Sequence, residues 1–196
     1  MTTAKRPANP LALALLGLLL EQPLHPHAMA VELRERQLDQ YFKLTTGSLY
    51  DTVRALVRDG WIEADGTEQI GARPARTVYR HTSQGRRYFA EWLDELIREP
   101  FQEFPRFLSA VSYLGALGPD RAADALRTRA AALRTRADSL DAAHRSACEE
   151  RGVPRLFVIE AEYAGAMTRA ELDWVERVAT AIEDGTLKWP GQVPDA

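Results

Sequence analysis

From Asp120 to about Arg151, the apolar residues Ala123, Leu126, Ala130, Leu133, Ala137, Leu140 and Ala147 step by three and four, interrupted only by His144. A strand repeats every two residues, so this spacing predicts a long helix with a seam of about four heptads. Its small residues permit close approach of a neighbour. Gly152-Val153-Pro154 breaks the run. A second long helix over about 155–184 carries Leu156, Ile159, Tyr163, Met167, Ala170, Trp174, Val178 and Ile182 on its seam, and Gly185 caps it. Two seamed helices on their own leave apolar surface uncovered, and a second copy of the chain is the simplest cover.

The first hundred residues are built differently. After a frayed tail over 1–9, a helix from Pro10 to about Gln22 is apolar nearly all round and is expected in the core. Pro23 ends it. His25-Pro26 opens a second helix, with Pro in the first turn where its missing N–H costs nothing. Met29, Leu33 and Leu38 form its inner side. A third helix starts near Thr45, a good N-cap, and Leu49, Val53, Leu56 and Val57 fall on its inner face. Gly60 stops it. Trp61-Ile62-Glu63-Ala64 is a short strand candidate, 65–74 is rich in turn formers, and Arg76–Arg80 reads as the returning strand. Thr82 or Ser83 caps a fourth helix that turns Tyr88, Phe89, Trp92, Leu93, Leu96 and Ile97 inward. Glu99-Pro100 marks a boundary. A short helix carrying Phe101, Phe104, Phe107 and Leu108 then runs to Gly118-Pro119.

The fold class expected is mainly α: a winged helix-turn-helix domain over 10–98, then a long antiparallel, coiled-coil-like helix pair in a helical domain over 101–189. At 196 residues the chain suits one domain or two small ones. Its longest apolar run, Leu11–Leu20, is half of what a membrane span needs. Lys5, Arg6 and Ala28-Met29-Ala30 imitate a secretory signal poorly, because Glu21, Pro23, His25, Pro26 and His27 stand between. One cysteine, Cys148, leaves no disulfide framework and no cysteine-built zinc site, so a cytoplasmic location is expected. His25 and His27 form a His–x–His pair without a carboxylate or thiol to complete a metal site. No metal, cofactor or membrane is expected. There is no Gly-rich phosphate loop and no catalytic constellation, so the chain is not expected to be an enzyme.

Charge is unevenly spread. The whole chain is net −3, yet Lys43 to Arg87 holds eight basic and five acidic residues, net +3. That local excess lies where a winged domain meets a polyanion. The N-terminal end of the third helix carries the short residues Thr46, Gly47 and Ser48, so its N–H dipoles can approach phosphate or base edges. Tyr50 and Arg54 follow one turn apart, and arginine bonds guanine in two-pronged fashion. Arg73 and Arg76 offer wing contacts to the backbone or minor groove. With Lys43 these residues are the DNA-facing candidates. Trp92, Phe101 and Phe104 are candidates for an effector pocket.

The motifs resemble the PadR-like family of winged helix-turn-helix transcriptional regulators. The resemblance runs from about Leu11 to Leu96. It rests on Leu16-Gly17-Leu18-Leu19, Pro23-Leu24-His25, Leu44-Thr45-Thr46-Gly47-Ser48-Leu49-Tyr50, Leu56, Asp59-Gly60-Trp61-Ile62, Tyr79-Arg80-His81-Thr82 and Gly85-Arg86. The C-terminal helix pair resembles the dimerisation domain of the longer members. Two positions depart from the pattern. Pro26-His27 stands where the family usually has Gly-Tyr, and His81 where it often has Leu. The resemblance implies a homodimer on double-stranded DNA with a palindromic operator, acting as a repressor released by a small-molecule effector. The competing reading is a protein-interaction and oligomerisation module without sequence-specific DNA binding.

Overall fold

The computed structural model describes residues 9–69 and 75–189. The chain divides into two compact units, 1–102 and 103–196.

In the first unit, α1 (Pro10–Glu21), α2 (Pro26–Glu35) and α3 (Thr46–Arg58) precede the antiparallel strands β1 (Ile62–Glu68) and β2 (Arg76–His81), and α4 (Ser83–Arg98) closes it. Leu11, Leu15 and Leu16 of α1, Met29 and Leu33 of α2, and Leu56 of α3 are fully buried with Trp61 and Ile62. Each such side chain adds about 1.5–3 kcal/mol of burial. Trp61 lies edge-on to Trp92 of α4, their ring centroids 5.9 Å apart. The inner face of α3 consists of Leu49, Thr52, Val53 and Leu56. Val57, expected inside, is 41% exposed. The stripe follows i, i+3, i+4, i+7 from Leu49, and that spacing buries Thr52 instead. Thr52 is accommodated because its hydroxyl donates to the Ser48 carbonyl at 2.7 Å and accepts from the Asn9 amide at 3.3 Å. Of the α4 residues expected inside, Leu93 and Ile97 are exposed.

A two-stranded ribbon alone is marginal in water. This one is held by Trp61 and Ile62 and by a third partner. Leu24 and Tyr79 exchange backbone hydrogen bonds of 3.0 and 3.1 Å, joining the start of α2 to β2. β1 extends through Asp65-Gly66-Thr67, which sequence pattern assigned to the turn. Gly66 adopts φ +118° at a register irregularity between Ala64 and Thr67, so the pairing continues past it. At the corner from β2 into α4, Thr82 caps the helix by accepting from the Gly85 N–H at 2.8 Å and donates to the Gly60 carbonyl at 2.8 Å. A Cβ at Gly85 would sit 1.8 Å from the Trp61 carbonyl oxygen, so the corner needs glycine there.

In the second unit, α5 (Arg106–Val111) and a short turn precede the long helices α6 (Pro119–Arg145) and α7 (Ile159–Glu183). Phe101 and Phe104 precede α5, which begins only after Pro105. α6 ends earlier than its periodicity suggests, in a π-helical turn over Ser146–Glu150. Its Leu126, Ala130, Ala137 and Leu140 are buried as expected. On α7 Ile182 is buried as expected, but the rest of the buried line differs from the expected one: it is Gly165, Thr168, Val175 and Ala179. Leu156, Tyr163 and Met167 are exposed instead. An alanine-rich partner accepts small residues at close range, and Thr168 behaves as one because its hydroxyl donates to the Ala164 carbonyl. Trp189, beyond the helix, joins this core.

Salt bridges set the register of the pair. Arg127 meets Glu183, Arg134 meets Glu176 and Arg169 meets Asp141, each contact one heptad along from the last. A slip of one heptad in either direction replaces the three opposite pairs with one opposite and one like pair, the like pair being Asp141 with Glu176 or Arg134 with Arg169. The cation of Arg129 stacks 3.6 Å from the Phe107 ring centre, and that ring lies edge-on to Trp174.

Candidate nucleic-acid interface

The α3 N-terminus is built by a reciprocal cap. The Ser48 N–H donates to Thr45 Oγ1 at 3.1 Å, and the Thr45 N–H donates to Ser48 Oγ at 2.9 Å. Two first-turn donors are thereby satisfied and the end is held rigid. The cap also engages Ser48, one of the short residues expected to let the helix end approach DNA: its N–H and its hydroxyl are both taken up by Thr45. Thr46 and Gly47 stay exposed beside it.

Tyr50 and Arg54 project from the face opposite the buried stripe. Tyr50 is 43% exposed. The Arg54 guanidinium pairs with Asp51 one turn back, both side chains well exposed. Such a surface pair contributes about 0–1 kcal/mol, so Arg54 exchanges it readily for another anion. Asp51 belongs to the same polar face by sequence, and its i, i+3 spacing from Arg54 is what allows the pair. Arg58 is held by its neighbour Asp59 at 2.7 and 2.8 Å and lies one turn beyond. Lys43 is exposed just before the helix, and its carbonyl accepts from Ser48 Oγ.

At the wing, Arg76 starts β2 and is half-buried. Arg80 ties the strands together through Glu63 and Asp65, both at 2.9 Å. Arg73 falls outside the described residues. Arg76 and Tyr50 line one cleft, so α3 and the start of β2 meet there. Of the effector candidates, Trp92 is packed into the first core, whereas Phe101 and Phe104 are exposed.

His81 sits at the β2–α4 corner, 5% exposed. One ring nitrogen, Nε2, hydrogen-bonds the Leu16 carbonyl at 2.8 Å, and Nδ1 has no partner among the described residues. Burial pushes its pKa below the usual histidine value, against the Leu16 bond and with help from the Arg86 charge.

Solved structures share this fold. Bacillus subtilis PadR in complex with operator DNA matches with a TM-score of 0.74 at 18% identity, covering 88% of this chain and 98% of that one. The same regulator in complex with p-coumaric acid gives 0.71 at 18% identity and the same coverage. The Vibrio cholerae virulence activator AphA gives 0.65 at 14% identity, covering 89% of this chain and 98% of its own. No protein with a curated description matches the sequence. The family model described as "Transcriptional regulator PadR-like family" matches residues 15–91, so the winged domain of this chain is similar to the PadR-like transcriptional regulators.

Proposed function

We propose that this protein is a homodimeric repressor that reads a palindromic operator with α3 and is released by a small-molecule effector. The observation that carries the reading is the division of labour on α3. Leu49, Thr52, Val53 and Leu56 hold the helix, and Thr46, Tyr50 and Arg54 are left at the surface with no part in the core. The +3 excess over 43–87 supports it. So does the operator complex of Bacillus subtilis PadR, a protein of the same fold.

Dimerisation draws support from a second apolar line on the outer side of α7, Tyr163, Met167 and part of Trp174, with Leu156 exposed in the turn just before the helix. A two-fold axis through such a pair sets two recognition helices about 34 Å apart, the spacing of successive major grooves on one side of the duplex. The effector part leans on the p-coumaric acid complex of the Bacillus protein. Of the aromatic candidates, the exposed Phe101 and Phe104 have rings to offer a ligand, and Trp92 serves its own core.

Arg54→Ala tests the reading. Loss of a two-pronged base contact is expected to cost about 1–3 kcal/mol on the cognate duplex and to relax base preference, with much less effect on scrambled DNA. Equal loss on both duplexes would remove Arg54 from base reading.

A further inference from the structure

The cleft that Tyr50 and Arg76 share in the first unit also brings in residues that have no role so far, His27 and Thr77 among them. It has a volume of about 340 Å³ and is lined by His25, His27, Tyr50, Arg76, Thr77 and Tyr79. Three elements meet in it. The backbone bridge between Leu24 and Tyr79 docks the start of α2 against β2, and α3 brings Tyr50 to the same place.

The two histidines divide their work. His25 is buried and caps α2, its Nδ1 accepting from the Ala28 N–H at 3.0 Å. His27 is exposed and lies nearly parallel to it, with ring centroids 6.1 Å apart. His25 therefore fixes a floor on which His27 rests. Around His27 the lining supplies a guanidinium from β2, a phenol from α3, a second phenol from Tyr79 and a hydroxyl from Thr77. No carboxylate lines the cleft among the described residues. A set of donors and cations without an acid, open to solvent beside the recognition helix, suits an anion carried on an extended chain.

We propose that this cleft seats a backbone phosphate of the DNA duplex, with a ring N–H of His27 donating to the phosphate oxygen alongside Arg76 and Tyr50. The proposal rests on the DNA-reading function above and adds to it a contact that carries no sequence information. The charged and titratable groups facing His27 are His25 on its own helix, Tyr50 on α3, and Arg76 and Tyr79 on β2.

The test uses the full chain and fluorescence anisotropy on two duplexes: DNA from upstream of its own coding sequence, and a scrambled version. Because a phosphate contact is blind to sequence, the scrambled duplex suffices for His27. His27→Ala is expected to weaken binding to both duplexes alike by about threefold or more. Identical affinity of wild type and His27→Ala for both duplexes would overturn the phosphate seat. If the wild type still preferred the upstream duplex, the function proposed above would stand without it. No binding of the wild type to either duplex at about 50 mM salt would overturn both.

Discussion

His81 shows how one side chain places a pH dependence inside the winged domain. Its neutral ring is what the corner accommodates: Nε2 bonds the Leu16 carbonyl, Phe89 packs beside it, and Nδ1 is buried without a partner among the described residues. The folded state holds the proton less firmly than the unfolded chain, so the unfolded state binds more protons in acid and stability rises with pH. The sensitive window opens as pH falls below 6.5 and deepens until the folded ring itself protonates at its lowered pKa. The wild type is expected to lose more melting temperature between about pH 7.5 and 5.5 than His81→Leu, whose side chain has no proton to take up. Equal losses would show that the corner accepts the charged ring. Residue-level reading of sequence recognised His81 as a departure from the family pattern. Its carbonyl partner on α1, 65 positions away in the chain, emerges only from the packing. The same limit applies to Ser48. Its place after Thr45 is plain in the sequence, but its hydroxyl proves to be engaged by the cap.

At the scale of elements, α7 separates what periodicity reveals from what it hides. Its length and its break after α6 were legible, because apolar residues recur by three and four throughout. Which face turns to α6 was not, because two apolar lines run along the helix and large residues mark the outer one. The inner line uses Gly165, Thr168 and Ala179, residues that a count of hydrophobic side chains passes over. The outer line is the surface proposed for the second copy. Met167 is 49% exposed there, one turn from Tyr163 at 67%. Met167→Glu is expected to leave each helix pair folded, with an unchanged far-ultraviolet circular dichroism spectrum, since the side chain faces away from α6. It is expected to raise the dimer dissociation constant about a hundredfold or more, because an unpaired carboxylate buried in an interface costs several kcal/mol. Light scattering on the purified variant measures this. A dimer of undiminished stability would move the interface off this line.

For the molecule as a whole, the order of elements was readable from end to end: three helices, a ribbon, a capping helix and a seamed pair. Turn chemistry punctuates them at Pro23, Gly60, Gly118-Pro119 and Gly152-Pro154, and local signals of this kind survive folding unchanged. The candidate interface was legible where it lies on one helix, as with Thr46, Tyr50 and Arg54. It was not legible where distant segments converge, as in the His27–Tyr50–Arg76 cleft, because the bridge between Leu24 and Tyr79 that builds it has no local sequence signature. No helix among the described residues is long and apolar enough to cross a membrane. The central claim is that the acidic chain carries a basic reading head for DNA. Anisotropy of the wild type on its upstream duplex and on the scrambled control, titrated from about 50 to 200 mM salt, tests it most directly. The account predicts a preference of about 10³-fold or more for the upstream duplex, with affinity falling steeply and linearly on the log–log plot. The absence of salt-dependent binding to either duplex at about 50 mM salt would contradict it.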